Sequence, residues 1–127
     1  MGLSENIAIV QEKIACAAEK AGRSAEDITL IAVSKTVDAE MVKAAYDYGL
    51  RSFGENRVQE FLRKKEILPE DIQWNLIGQL QTNKVKYIID NGVALLHSLD
   101  RPALASELQK ECIKKDTSID VLVEVNF

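Results

Sequence analysis

The chain has 127 residues, enough to bury the core of one domain, and its 46% hydrophobic and 28% charged composition is that of a soluble globular protein. A formal net charge of −4 leaves no basic excess for general binding to nucleic acid or an anionic membrane. No apolar run approaches the ~20 residues of a membrane helix, and the stretch from Met1 to Asn6 is no basic-then-apolar leader, so the chain reads as cytoplasmic.

Ser4 is placed to cap a first helix with Ile7, Val10, Ile14, Ala17, Ala18 and Ala21 on its apolar positions, and Gly22 to end it. Next comes the run from Ile28 to Val33, in which Thr29 alone is polar, read as a strand buried on both faces. It stops at Ser34-Lys35. Lys35 therefore stands at the carboxyl end of a strand, the end where parallel α/β sheets carry out chemistry. A partly desolvated lysine there has a lowered pKa, and a neutral amine attacks aldehydes. The competing reading is a strand-end lysine that reaches into water.

Asp38 opens a second helix with Met41, Val42, Ala45 and Tyr48 on one face, closed by Gly49. Residues 51–56 form a weakly marked strand, and Val58, Phe61 and Leu62 mark a helix that ends before Pro69. In that helix Arg63-Lys64-Lys65 reads as a solvated face. A third strand covers 73–78, a polar loop follows from Gln79 to Thr82, and a helix from Asn83 runs to the break at Asn91-Gly92. Val93 to Ser98 make a fourth strand. Asp100 as cap with Pro102 in the first turn starts a helix to about Lys115, and a fifth strand spans 120–126. Cys16 and Cys112 fall in helices without metal-ligand spacing and read as reduced packing residues.

Strands alternating with helices predict βαβ units and a parallel sheet in a single domain, 1–127. The sheet can be open and doubly wound, or a sector of a barrel. The G-x-G-x-x-G fingerprint of a dinucleotide-binding sheet is absent. Strand parity favours the barrel: one face gathers Ser52, Gly54, Asn56 and Asn75, and the other gathers Phe53, Trp74 and Leu76. A full (β/α) barrel takes eight repeats and ~250 residues, so about five strands are expected to be the N-terminal part of a longer barrel. Val121 and Val125 then lack a covering helix, and the fifth strand keeps an unpaired edge through which chains could self-associate.

Specific residues carry a resemblance. These are Ala32-Val33-Ser34-Lys35-Thr36, Phe53-Gly54-Glu55-Asn56 with Val58-Gln59-Glu60, and Trp74 with Ile77-Gly78. Leu80-Gln81, Asn83-Lys84, His97-Ser98-Leu99-Asp100 and Val125-Asn126 complete the ordered set. Together they resemble the pyridoxal 5′-phosphate (PLP) homeostasis protein family, the YggS-like proteins.

The resemblance implies a TIM-type barrel of PLP fold-type III, like the N-terminal domain of alanine racemase. It also implies a covalent PLP aldimine on Lys35, with Asn56, Ile77 and Gly78 at the cofactor-binding mouth. The family is regarded as a PLP carrier or regulator without an accepted turnover reaction, with PLP-dependent apo-enzymes as conceivable partners. It usually carries histidine where this chain has Asn75. Barrel phosphate sites often use the loops after strands seven and eight, so this shorter chain is expected to be cofactor-poor.

Other readings stay open at individual positions. Asn56 can cap the helix starting near Arg57 or touch the cofactor ring, and Gly54 and Gly78 can relieve crowding or admit the cofactor. His97, the single histidine, reads as a hydrogen-bonded structural residue, and Trp74 as packing between sheet and helices. Glu124, if inward, needs a partner such as Asn75 or Lys35. The alternative function is a fold-type III racemase or decarboxylase. Racemisation needs a second acid/base group, and Tyr46, Tyr48 and Tyr87 all fall in predicted helices, which weighs against it.

Overall fold

In a computed structural model describing residues 2–127, helices alternate with the strands of one parallel sheet. The helices are α1 (Leu3–Lys20), α2 (Ala39–Tyr48), α3 (Val58–Ile67), α4 (Val85–Asp90) and α5 (Pro102–Lys115). The strands are β1 (Ala32–Val33), β2 (Ser52–Glu55), β3 (Gln73–Leu76), β4 (Leu95–Leu99) and β5 (Asp120–Val123), and short 3-10 turns occupy Ala25–Asp27 and Thr82–Lys84. Strand order is β1-β2-β3-β4-β5 with every pair parallel. The order never reverses, so there is no switch point of the doubly wound kind. Right-handed crossovers that always step the same way put the helices on one face.

Register explains which side chains meet those helices. Ala32, Phe53 and Trp74 lie in one cross-strand row, and Leu76 pairs with Leu96. Phe53, Trp74, Leu76 and Leu96 are buried with Val42 and Ala45 of α2, Phe61 of α3, Ile88 of α4 and Leu104 of α5. The Trp74 ring sits 6.2 Å from Phe53 and 5.8 Å from Phe61 between centroids, so it packs between sheet and helices as expected. The adjacent row, Val33, Gly54, Asn75 and Leu95, faces the other way.

Several expectations need correction. The run through Ile28 to Val33 is not a strand buried on both faces: only Ala32 and Val33 are paired, and Val33 is 51% exposed. β1 is an edge strand whose one neighbour is β2, and Val33 points away from the helices. Ser4 lies inside α1; Gly2 is the N-cap residue, and the Glu5 carboxylate accepts its N–H at 2.5 Å. Of the predicted α1 stripe only Ile7 and Ala18 are buried, while Val10 is exposed. Asp100 does not cap α5; its carboxylate accepts from Arg101 at 2.7 Å, and Arg101 is the N-cap residue ahead of Pro102. Cys112 is a packing residue but Cys16 is exposed; both are free thiols.

Other local signals act as read. Asp38 accepts the Met41 N–H at 2.9 Å and starts α2, and Gly49 ends it at φ 124°, a conformation glycine takes without a Cβ clash. No helix among the described residues is long and apolar enough to cross a membrane.

Candidate functional site at the carboxyl ends of β1 to β3

Lys35 follows β1 by two residues and is exposed. The Ser34 carbonyl accepts the Val37 N–H at 3.1 Å, closing a turn with Lys35 and Thr36 at its centre. Thr36 has φ 62°, in the left-handed region where a β-branched residue is uncommon. A cleft of about 590 Å³ opens there, lined by Lys35, Asp38, Glu55, Asn56, Arg57 and Arg63 among others. Lys35 and Asn56 thus share one cleft.

Ile77 and Gly78 do not line it. Their place is one strand further along. A Cβ on Gly78 would stand 2.3 Å from the Asn56 carbonyl oxygen, and a Cβ on Gly54 would meet Ile31 and Ile77 at 3.3 and 3.4 Å. Both glycines therefore sit where chain segments crowd together. Asn56 has a second, smaller cleft of about 310 Å³ on its other side, shared with Gln79, Gln81 and Lys84. The side chain of Asn56 does not cap α3: Arg57 is the N-cap residue and no side chain caps that end.

Behind Lys35 lies a group of residues that the sequence reading missed. Lys64, read as part of a solvated face, is fully buried. Its Nζ donates to Glu55 Oε2 and to the Ser34 carbonyl, each at 2.7 Å. The Ser34 hydroxyl donates to the same carboxylate oxygen at 2.5 Å. Glu55 is also fully buried, and its Oε1 has no hydrogen-bond partner among the described residues. A signal for this was present in the sequence. Lys64 falls on the helical stripe of Val58, Phe61 and Leu68, three residues after Phe61 and four before Leu68.

On the helix-free face, the amide of Asn75 donates to the carbonyls of Phe53 at 3.3 Å and Gln73 at 3.2 Å. His97 Nε2 lies 2.9 Å from Asn75 Oδ1, so the ring donates there, and His97 is hydrogen-bonded as expected. With these partners Asn75 is not engaged with Glu124, which borders a groove alongside Arg101 and Pro102. Beside the Lys35 cleft, a hydrogen bond from Arg63 to the Glu60 carboxylate holds that group below its ordinary pKa. No group of three or more His, Cys, Asp or Glu side chains among the described residues could hold a metal.

The fold and the cleft define a singly wound parallel α/β protein with an exposed lysine just past a strand's carboxyl end. No protein-family model matches the chain. Among curated proteins, the pyridoxal phosphate homeostasis protein of Aquifex aeolicus is 49% identical over 127 residues, covering 99% of this chain and 55% of the relative. Among solved structures, PipY of Synechococcus elongatus without PLP superposes with a TM-score of 0.81 at 32% identity, over 94% of this chain and 52% of that one. PipY with PLP bound matches with a TM-score of 0.69 at 39% identity, over 74% of this chain and 45% of that one.

The chain belongs to the pyridoxal phosphate homeostasis protein family. It spans about half the length of the curated relatives it matches.

Proposed function

We propose that this chain forms the amine-bearing part of a PLP site, in a protein that carries PLP or regulates its supply and does not turn over a substrate. The observation that carries the reading is Lys35, exposed and in one cleft with Asn56 at the carboxyl ends of β1 and β2. The PLP-bound PipY structure, similar over most of this chain, supports the choice of cofactor. The residues present fit the aldehyde end of the group: an amine without an acidic partner among the described residues, on a turn that opens on the cleft.

When bound, PLP supplies an aldehyde carbon that an amine can attack. Lys35 would supply the amine that attacks it and Asn56 would offer an amide beside it, while Gly78 packs against Asn56 from behind and Ile77 against Gly54. The fit is poorer at the phosphate end. The Lys35 cleft is bordered by the acidic residues Asp38 and Glu60 as well as by Arg57 and Arg63, and Arg63 is engaged with Glu60 at 2.5 Å. The chain by itself is therefore expected to be cofactor-poor, as the N-terminal part, 1–127, of a fold-type III TIM-type barrel in the cytoplasm.

Borohydride reduction with PLP followed by intact-mass and peptide measurement tests this. A small fraction of single adduct at Lys35, lost in Lys35→Ala, is expected; an adduct spread equally over surface lysines would overturn the reading. A visible absorbance band that survives gel filtration and is lost in Lys35→Ala would overturn the weak-affinity part alone.

A fold-type III racemase or decarboxylase is the alternative. Tyr46 and Tyr48 lie in α2 and Tyr87 in α4, which leaves none of them at a strand end to act as a second acid/base group. Exchange of an amino acid α-proton with solvent deuterium, dependent on Lys35, would establish that alternative. Partners remain to be found among PLP-dependent apo-enzymes and second copies of the chain. Leu122, Val123 and Val125 at the outer edge of the sheet are 49%, 73% and 64% exposed, and apolar surface of that kind favours self-association. Light scattering that finds a monomer at all concentrations would exclude it.

A further inference from the structure

Four observations concern the same few atoms. Lys35 sits in a turn whose next residue, Thr36, holds a left-handed φ of 62°. Threonine adopts that conformation only when its surroundings impose it, because its branched Cβ crowds the backbone there. The Ser34 carbonyl oxygen accepts from the Val37 N–H inside the turn and from Lys64 Nζ outside it, and the Ser34 N–H joins the turn to β2 by donating to the Gly54 carbonyl at 2.9 Å. Lys64 is in turn held by Glu55 at 2.7 Å, with side-chain exposures of 0% and 1%.

A lysine ammonium is rarely buried so completely, and its stem alone would serve the core as well as leucine does. What the charge adds is direction. The Glu55 carboxylate, anchored on β2, fixes the ammonium, and the ammonium fixes the carbonyl that precedes Lys35. We propose that Lys64, held by Glu55, is the positioning residue for Lys35: it clamps the strained turn that aims the amine into the cleft. The proposal rests on the reading of Lys35 as the cofactor amine, yet part of its test does not. Besides the bonds from the Ser34 N–H and hydroxyl to β2, a further competing clamp lies inside the turn. The Thr36 hydroxyl donates to the Lys35 carbonyl at 2.6 Å and could hold the turn by itself.

The test uses the full 127-residue chain and the double variant Glu55→Met/Lys64→Met, which removes both charges and leaves neither buried alone. The Ser34 hydroxyl keeps an acceptor in it, the Gly54 carbonyl at 3.2 Å. The first readout, independent of any cofactor, is exchange of the Val37 amide hydrogen; the second is the borohydride-trapped PLP adduct at Lys35. With a cooperative melt retained, Val37 exchange should quicken about tenfold and the adduct should fall by a similar factor. Adding Thr36→Gly should restore both in large part, since glycine reaches φ near +60° without the strain of a branched Cβ.

Unchanged exchange in the folded double variant, or no rescue by glycine, overturns the proposal. Thr36→Gly alone provides a test that does not depend on the double variant folding. It should leave Val37 exchange as it is, and faster exchange with Lys64 intact would assign the clamp to the Thr36 hydroxyl instead. If the unaltered chain yields no adduct at Lys35, the cofactor reading fails while Val37 exchange still decides the clamp.

Discussion

A methyl group on Gly78 would stand 2.3 Å from the carbonyl oxygen of Asn56, so the segment leaving β3 lies directly against the residue that follows β2. Backbone cannot swing aside as a side chain can. Gly78→Ala should therefore cost about 1–3 kcal/mol, as other overpacked sites do. It should also displace Asn56 within the Lys35 cleft. Urea unfolding gives the cost and the Asn56 amide resonance reports the movement; an alanine variant as stable as its parent would show that the two segments part easily.

Removing one member of the buried pair should be far worse than removing both. Lys64→Met leaves the Glu55 carboxylate buried without its cation, which costs about 3–5 kcal/mol, whereas Glu55→Met/Lys64→Met should recover most of that loss. Urea midpoints of the two variants make the comparison. Similar losses in both would mean that packing of the lysine stem dominates.

A surface cluster should set a small dependence of stability on pH. The Tyr46 hydroxyl donates to Asp71, whose other oxygen lies 3.3 Å from Arg51, and the Arg51 guanidinium lies 3.9 Å from the centre of the Tyr46 ring. The hydrogen bond to Asp71 raises the tyrosine pKa, and accepting it, aided by Arg51, lowers that of Asp71. The lowered carboxyl contributes stability above its unfolded value of about 4 and loses it as pH falls through the folded value. The raised phenol contributes fully below about 10 and loses it as pH rises through its folded value. Tyr46→Phe should thus narrow the difference in melting temperature between pH 7 and pH 3, by a small amount because the cluster is exposed. A difference as wide as in the parent would remove the cluster from the acid response.

On the helix-free face, Asn75→Ala would leave the Phe53 carbonyl without the side-chain bond and deprive His97 of its acceptor. A loss of about 1–3 kcal/mol is expected. The His97 ring signals should shift in the same variant, and a ring left in place would mean that another group holds it.

What the chain alone determined is the architecture in its coarse form. Apolar runs of strand length alternate with helical stripes, and punctuation such as Asp38 and Gly49 marks ends whose causes are local, so the α/β parallel arrangement and the position of Lys35 at a strand end were legible. The ordered motifs from Ala32 through Asn126 pointed to the family for the same reason: they are linear. Tertiary structure decided which side chains meet. Lys64 lies on the stripe of Val58 and Phe61, but a charge is buried there only because β2 presents Glu55, on a different element, and the turn after β1 presents the Ser34 carbonyl, thirty residues away in sequence. The exposure of Val33 follows from the one-sided stacking of helices and the edge position of β1. Periodicity gives the direction of a side chain relative to its own element, whereas burial depends on what stands opposite, and that is a property of the packed chain.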